Sequence, residues 1–408
     1  MSAAAGAVRD DAPVVVAARR TWIGTAGHGH RDVRAVDLAA VVLGAALDDA
    51  RALGVAAEVD DVVLGNCTGP GGNLARVAAL TAAGLGTGVP GLTVDRQCGS
   101  GLAAVLLAGQ QVRTGEAGMV FAGGVESAST APRRAHRTPD GDVPYDRAPF
   151  APAAIGDPDM GPAADALARA YGVPRERQDA YAVRSHTRAL AAHAAGRFDA
   201  ETVPVPRDPS GTGSAHGSPL RRDERARRLD PAVVARLPAA FSPDGTVTAA
   251  TASPVSDGAA VLAIVPERTR AALGLPGLRL VAGATRGVDP RLPGWGPVPA
   301  VRTVLAAAGQ DVGQLDAIEL VEAFAAQVLT VTDALGLDPL GVPDDDARLC
   351  TDGGALALGH PWGASGAVSV VRLFSRLVRA GAPAGTLGLA AAAVGGGMGV
   401  AGLFEVVR

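Results

Sequence analysis

Apolar residues in this chain fall into short continuous runs, separated by longer stretches where they recur at helical spacing. PVVVAARRTWIG (13–24) is a β-branched run ending in a turn, and DLAAVVLGAALDDARALG (37–54) follows with a helical period. DVVLGN (61–66) predicts a second strand and NLARVAALTAAGL (73–85) a second helix. LTVDRQCGSGLAAVLLAGQQVRTG (92–115) is a strand breaking at once into a helix, and MVFAGGVES (119–127) is a further strand. From Leu278 the same order returns. LRLVAGATRG predicts a strand, VPAVRTVLAAAG (298–309) a helix and LDAIELVEAF (315–324) a strand. LCTDGGALALGHPWGASGAVSVVRLFSRLVRAG (349–381) predicts a strand, a glycine-rich loop and a helix, and LGLAAAAVGGGMGVAGLFEVV (387–407) predicts paired strands. Alternating strands and helices, with strands apolar on both faces, define two α/β halves with covered sheets.

Between the halves the pattern changes. A region rich in Arg, Pro and Asp carries two helical segments, GPAADALARAYG and RERQDAYAVRSHTRALAAHAAG, and reads as an insertion over the two halves. DPSGTGSAHGSPL (208–220) is a loop by composition, and TVTAATASPVSDGAAVLAIV (246–265) reads as the strand that returns the chain to the first half. The expected division is residues 1–128 with 246–275, an inserted region at 129–245, and 276–408.

Composition adds exclusions. A net charge of −4 offers no basic footprint for nucleic acid. Three cysteines, Cys67, Cys98 and Cys350, are too few and scattered for a disulfide framework or a zinc site, but leave room for one reactive thiol. MSAAAGAVRDDAP has early acids and no apolar core, unlike a signal peptide, so a cytoplasmic location is expected and the Asn66-Cys-Thr68 sequon carries no meaning. Residues 381–404 are uncharged and long enough to span a bilayer, yet their Gly and Ala content and the GGG triplet predict a buried strand–turn–strand.

Two residues stand out for chemistry. Cys98 lies where a strand ends and a helix begins, so its sulfur faces the positive end of the helix dipole, and Gly99 and Gly101 allow close approach. The same local pattern also fits a small core cysteine. The matching turn of the second half, GGALALGHPWGASGA, carries His360; if the halves pack about a pseudo-twofold axis, the two turns can face one cleft. The other histidines (His28, His30, His136, His186, His193 and His216) are expected to be solvated.

RQCGSGLAAV, AGGVESAS, MGPAADALARAYGVPRERQDAYAVRSHTRALAAHAAGRF, DGTVTAATAS, VEAFAAQ, GGALALGHPWGASGA and VGGGMGVAGLFE together resemble the thiolases, the acyl-CoA C-acyltransferases, from end to end. The resemblance implies two similar βαβαβαββ halves related by pseudo-twofold symmetry, with a loop domain over the active site, in a homodimer or homotetramer. It implies that Cys98 takes an acyl group from a thioester, that the Cys98 and Gly395 amides form an oxyanion hole, and that His360 activates the cysteine. By the same resemblance Ser253 contacts the pantetheine arm, Met160 lines the acyl pocket, and Arg221–Arg228 is a looser candidate for the nucleotide phosphates or a solvated face. It implies no metal and no permanently bound cofactor, with a coenzyme A thioester or a carrier-protein phosphopantetheine as substrate, and no membrane or nucleic-acid partner.

Two departures from the family pattern change the expected chemistry. VEAF puts Val321 where the family has an asparagine that holds a water in a second oxyanion hole. Ala393 stands in place of the cysteine that serves the family as base at carbon. Asp352 for asparagine, and TAAT for TAGN, are further differences. Loss of a general base slows a step by about 10²–10⁴-fold and of one oxyanion donor by about 10²–10³-fold. The resemblance therefore implies an acyltransferase that loads Cys98 and discharges it to an amine, hydroxyl, thiol or water. The alternatives are a carbon–carbon thiolase with Cys350 as substitute base, or a non-catalytic partner subunit.

Overall fold

The computed structural model describes residues 10–56, 58–206, 219–341 and 346–408. Most of the expected loop at 208–220, His216 and the first nine residues of the N-terminal segment lie outside the described residues. The first half runs β1 (Pro13–Thr21), α1 (Ala35–Ala52), β2 (Asp61–Gly65), α2 (Leu74–Thr81), β3 (Leu92–Val94), α3 (Ser100–Arg113) and β4 (Val120–Ser127). The chain then leaves the sheet for a hairpin of β5 (Arg134–Thr138) and β6 (Gly141–Tyr145) and for helices α4 (Met160–Ala170) and α5 (Arg175–Ala194). It returns through β7 (Ser256–Pro266). The second half is β8 (Gly277–Gly287), α6 (Pro297–Ala308), β9 (Ala317–Leu320), α7 (Ala325–Leu335), α8 (Trp362–Leu373), β10 (Leu387–Val394) and β11 (Met398–Val407).

One sheet joins both halves in the order β9-β10-β11-β8-β1-β7-β4-β2-β3. The seam is the antiparallel pair β1–β8, with Val14 opposite Arg279. Outward from the seam the halves repeat each other: β7 and β11 are antiparallel, then β4 and β10, then β2 and β9 run parallel to those. The repeat read from apolar runs is thus a repeat of strand order and direction. The strand expected at 349 is only a single bridge, Leu349 to Ile318, while α7 fills a stretch the sequence pattern left unassigned and completes the repeat as the counterpart of α2.

Helices α3 and α8 pack against each other and touch strands of both halves, forming a buried middle layer. Every residue of α8 beyond Trp362 is buried, so this helix is enclosed on all sides rather than on one face, its few polar residues included. The close fit needs glycine: a Cβ on Gly101 would stand 2.8 Å from Gly363 O and from Ala367 N. This contact holds the N-termini of α3 and α8 side by side, at the level of Cys98 and His360. Helices α1 and α2 cover the first half of the sheet from outside; α6 covers the second, and α7 packs against α6 and the inserted helices α4 and α5.

A buried ionic network fastens the inserted region to this frame. Arg20 on β1 binds Glu201 and Asp223, each at 2.7 Å, and Arg372 on α8 binds Glu201 and Asp352. Arg197 reaches Asp352 at 2.6 Å. Asp352 therefore belongs to a structural clasp rather than to the reacting cavity. Two histidines expected in solvent are also buried: His30 binds Trp22 O through Nε2 at 2.9 Å, and Nδ1 of His186 accepts from Arg227 N. His193 is half-buried between Trp22 and Phe198. Residues 387–407 form the expected strand–turn–strand, and no described helix is long and apolar enough to cross a membrane.

Candidate active site

The chain reaches Cys98 through a tight turn after β3. Gln97 takes the left-handed conformation, with φ of +45°, and residues Gln97–Gly99 make a single 3₁₀ turn before α3 begins. Left-handed backbone is unusual for a residue with a side chain, and a latch holds it here. Ser100 Oγ accepts from Arg96 N and donates to Gln97 O, both at 2.7 Å. A Cβ on Gly99 would lie 2.8 Å from Val394 and Val400, so Cys98 is pressed towards the β10–β11 hairpin. In the turn of that hairpin Gly396 and Gly397 have φ of +82° and +78°, which only glycine adopts without strain. Gly395 presents its N–H to the Cys98 sulfur. Burial nevertheless outweighs that amide and the backbone N–H of Cys98 itself, and pushes the thiol up to about 12. At rest Cys98 is a thiol, and the helix-end advantage expected from sequence is overridden by desolvation.

His360 enters from the opposite turn. Its backbone N–H lies 3.1 Å from Ser256 Oγ, tying the turn to the start of β7. Nδ1 lies 2.6 Å from Ser365 Oγ, and that hydroxyl donates to Pro361 O at 3.0 Å. With the hydroxyl proton so engaged, Nδ1–H is the donor to Ser365, and Nε2 keeps its lone pair. Nε2 has no hydrogen-bond partner among the described residues. Burial pushes the imidazole down to about 4, so it is neutral and able to accept a proton.

Cys98, His360, Gly395, Ser253 and Met160 all line one cavity of about 370 Å³. The inserted region supplies much of its wall through Phe150, Met160 and Phe241. Phe150 lies over the terminal glycines, its ring 2.7 Å from where a Gly395 Cβ would stand. The Ser253 backbone donates to Ala323 O at 2.9 Å, but regular strand begins only at Ser256, so the expected strand at 246–265 is shorter by its first ten residues. Arg225 lies beside Arg227 without joining the cavity wall; burial and that neighbour pull it down to about 10.

The departures divide. Ala393 is in the cavity wall beside Val394 and Gly395, where its methyl can exchange no proton. Val321 is not in that wall: it is buried in a small adjoining cavity with Gly359 and Ser365. Cys350 is fully buried, its thiol donating to Leu320 O at 3.4 Å, and it does not line the cavity. Burial, the bond to Leu320 O and its absence from the cavity wall argue against Cys350 as a substitute base. The thiol that does share the cavity is Cys67, which the sequence reading passed over as part of a sequon. Glu126, buried beneath it, accepts from Asn66, Thr68, the Cys67 N–H and the Gly363 N–H, joining the loop after β2 to the start of α8.

A cavity between two like halves, with a cysteine from one and a histidine from the other, is the plan of an acyl-transfer enzyme. The chain belongs to the thiolase family: the thiolase N-terminal domain matches residues 13–268 and the thiolase C-terminal domain residues 276–406. It is 41% identical to the acetyl-CoA acetyltransferase of Pseudomonas aeruginosa, over 95% of this chain and 98% of that protein. It is also 41% identical to that of Escherichia coli, over 96% and 98%. The crystal structure of the Bacillus anthracis acetyl-CoA acetyltransferase superposes with a TM-score of 0.86 at 36% identity, covering 97% of this chain and 99% of that one. The chain is thus a thiolase-family acyltransferase.

Proposed function

We propose that Cys98 takes an acyl group from a coenzyme A or carrier-protein thioester and passes it to a nucleophile other than carbon. The observation that carries this reading is the contrast within one cavity: thiol, imidazole and Gly395 amide converge, while the base position holds Ala393. On substrate arrival, Nε2 of His360 takes the thiol proton as sulfur attacks the thioester carbonyl. The Cys98 and Gly395 N–H groups receive the developing oxyanion. The leaving thiolate takes the proton back from His360, which leaves an acyl-Cys98 thioester. An incoming amine, hydroxyl, thiol or water then gives its proton to Nε2 and attacks the acyl carbon, and the cysteine thiol is regenerated as the tetrahedral adduct collapses.

Ser253 would contact the pantetheine arm and Met160 the acyl chain, with residues 129–245 closing over both. The chain would act in the cytoplasm as a homo-oligomer. A second reading, carbon–carbon thiolysis, is favoured by the names of the relatives; it needs a base that neither Ala393 nor Cys350 can supply. Intact-mass measurement after incubation with acetyl-, butyryl- and octanoyl-CoA and with acyl-phosphopantetheine tests the proposal. A single acyl adduct, absent from Cys98→Ala, is expected. No adduct with any donor would sink it.

A further inference from the structure

We propose that Cys67 and Cys98 form a reversible oxidation site, closing an internal disulfide when a hydroperoxide enters the cavity. This goes beyond acyl transfer and does not depend on the acceptor.

The two thiols line the same cavity and both are partly exposed. Cys67 follows β2, and Cys98 follows β3, its parallel neighbour, so the chain leaves both strands at the same edge of the sheet. Cys67 Sγ lies 3.3 Å from Gln97 O, the carbonyl of the residue bonded to Cys98. A carbonyl oxygen is under about 3 Å from the next Cα, which puts the Cys67 sulfur within about 6 Å of the Cys98 Cα. A disulfide brings the two sulfurs to about 2.03–2.05 Å, and rotation about χ1 of both cysteines is the motion that turns them towards each other. The Cys67 backbone is pinned on both sides: its N–H donates to Glu126 at 3.1 Å and its carbonyl accepts from Arg134 at 3.2 Å. The thiol is therefore held beside the nucleophile, and to turn towards it gives up only weak sulfur contacts with Gln97 O and Ser100 Oγ. Cys350, fully buried and outside the cavity wall, does not compete.

The chemistry balances without another group. The Cys98 sulfur attacks one peroxide oxygen, the O–O bond breaks, His360 accepts the thiol proton, and the departing alkoxide or hydroxide takes that proton from it. Cys98 is then a sulfenic acid. The Cys67 sulfur attacks the Cys98 sulfur, the S–O bond breaks, and hydroxide leaves with the Cys67 proton as water. Two electrons pass from the two thiols to the peroxide.

The test treats the full chain with hydrogen peroxide and follows acyl loading of Cys98, mass and peptide linkage together. Expected are a loss of about 2 Da, a Cys67–Cys98 linked peptide under non-reducing digestion, and at least a tenfold fall in acyl loading that dithiothreitol reverses. Cys67→Ser keeps a donor for Gln97 O, and its acyl loading before oxidation reports that it folds. After peroxide this variant is expected to gain about 32 Da, the sulfinic acid, and not to recover with dithiothreitol. Cys67→Ala is expected to behave the same way. Absence of the linked peptide, or full recovery of both variants, overturns the proposal. Failure of acyl loading before any oxidation would instead refute the transfer reading and leave the linked peptide to decide this one.

Discussion

The turn before α3 and the hairpin turn between β10 and β11 face each other across the Cys98 cavity, and they differ in what they hold. The first keeps every device needed to present a nucleophile: the left-handed Gln97, the Ser100 latch and the glycine contact with α8. The second keeps its glycines and offers the Gly395 N–H, yet two residues earlier its wall is the methyl of Ala393. Backbone geometry sets oxyanion stabilisation, so it survives a change of side chain. Proton transfer at carbon needs a titratable group at one position, and a single substitution removes it. One cavity can therefore retain acyl transfer while losing carbon–carbon chemistry.

The largest expected effect removes the retained side altogether. Cys98→Ala should abolish the acyl adduct, a loss of about 10⁴-fold or more, read by intact mass. Next, Ala393→Cys should sharpen the contrast by restoring a base: acetoacetyl-CoA thiolysis should rise by about 10²-fold or more, while acyl loading changes less than about threefold. A rise in both, or in neither, would mean that position 393 does not separate the two chemistries. His360→Ala should slow acyl loading by about 10²-fold or more.

The pH profile of loading follows from the same histidine. Its imidazole is pushed down to about 4, so Nε2 is free to accept a proton above that value and is protonated below it. Loading should be level from about pH 8 to pH 5 and fall only as pH drops through about 4; stopped-flow loading across that range shows it. A midpoint near 6.5, the ordinary value, would contradict the buried, neutral imidazole. The smallest effect is expected for Ser365→Ala, which frees the Nδ1–H that orients the ring: a loss of about fivefold in loading rate, in line with about 1 kcal/mol for one hydrogen bond.

The sequence was most legible where structure depends on local pattern. Both halves, the strand order they share and the terminal strand–turn–strand follow from apolar runs buried on both faces. Cys98 and His360 share one cavity because two like turns sit at the starts of two adjacent helices; Gly395, Ser253 and Met160 line it from other elements. What stayed hidden depends on long-range pairing. Asp352 stands out in sequence only as a departure from the family pattern, and a partner twenty residues on, Arg372, holds it in the ionic clasp. Val321 and Cys350 flank the site in sequence and point elsewhere. Cys67 is 31 positions before Cys98 and becomes its neighbour only because β2 and β3 are parallel. His30 and His186 lie in polar sequence surroundings yet are buried by elements distant along the chain.

The most direct test is a single turnover. Enzyme carrying a butyryl group on Cys98 is freed of excess donor and mixed with acetyl-CoA, and the products are separated. Butyryl should stay on Cys98 or leave as butyrate by hydrolysis, with under about 1% appearing as 3-ketohexanoyl-CoA, as a lost base of about 10²-fold or more requires. Stoichiometric 3-ketohexanoyl-CoA would contradict this and return the chain to carbon–carbon chemistry.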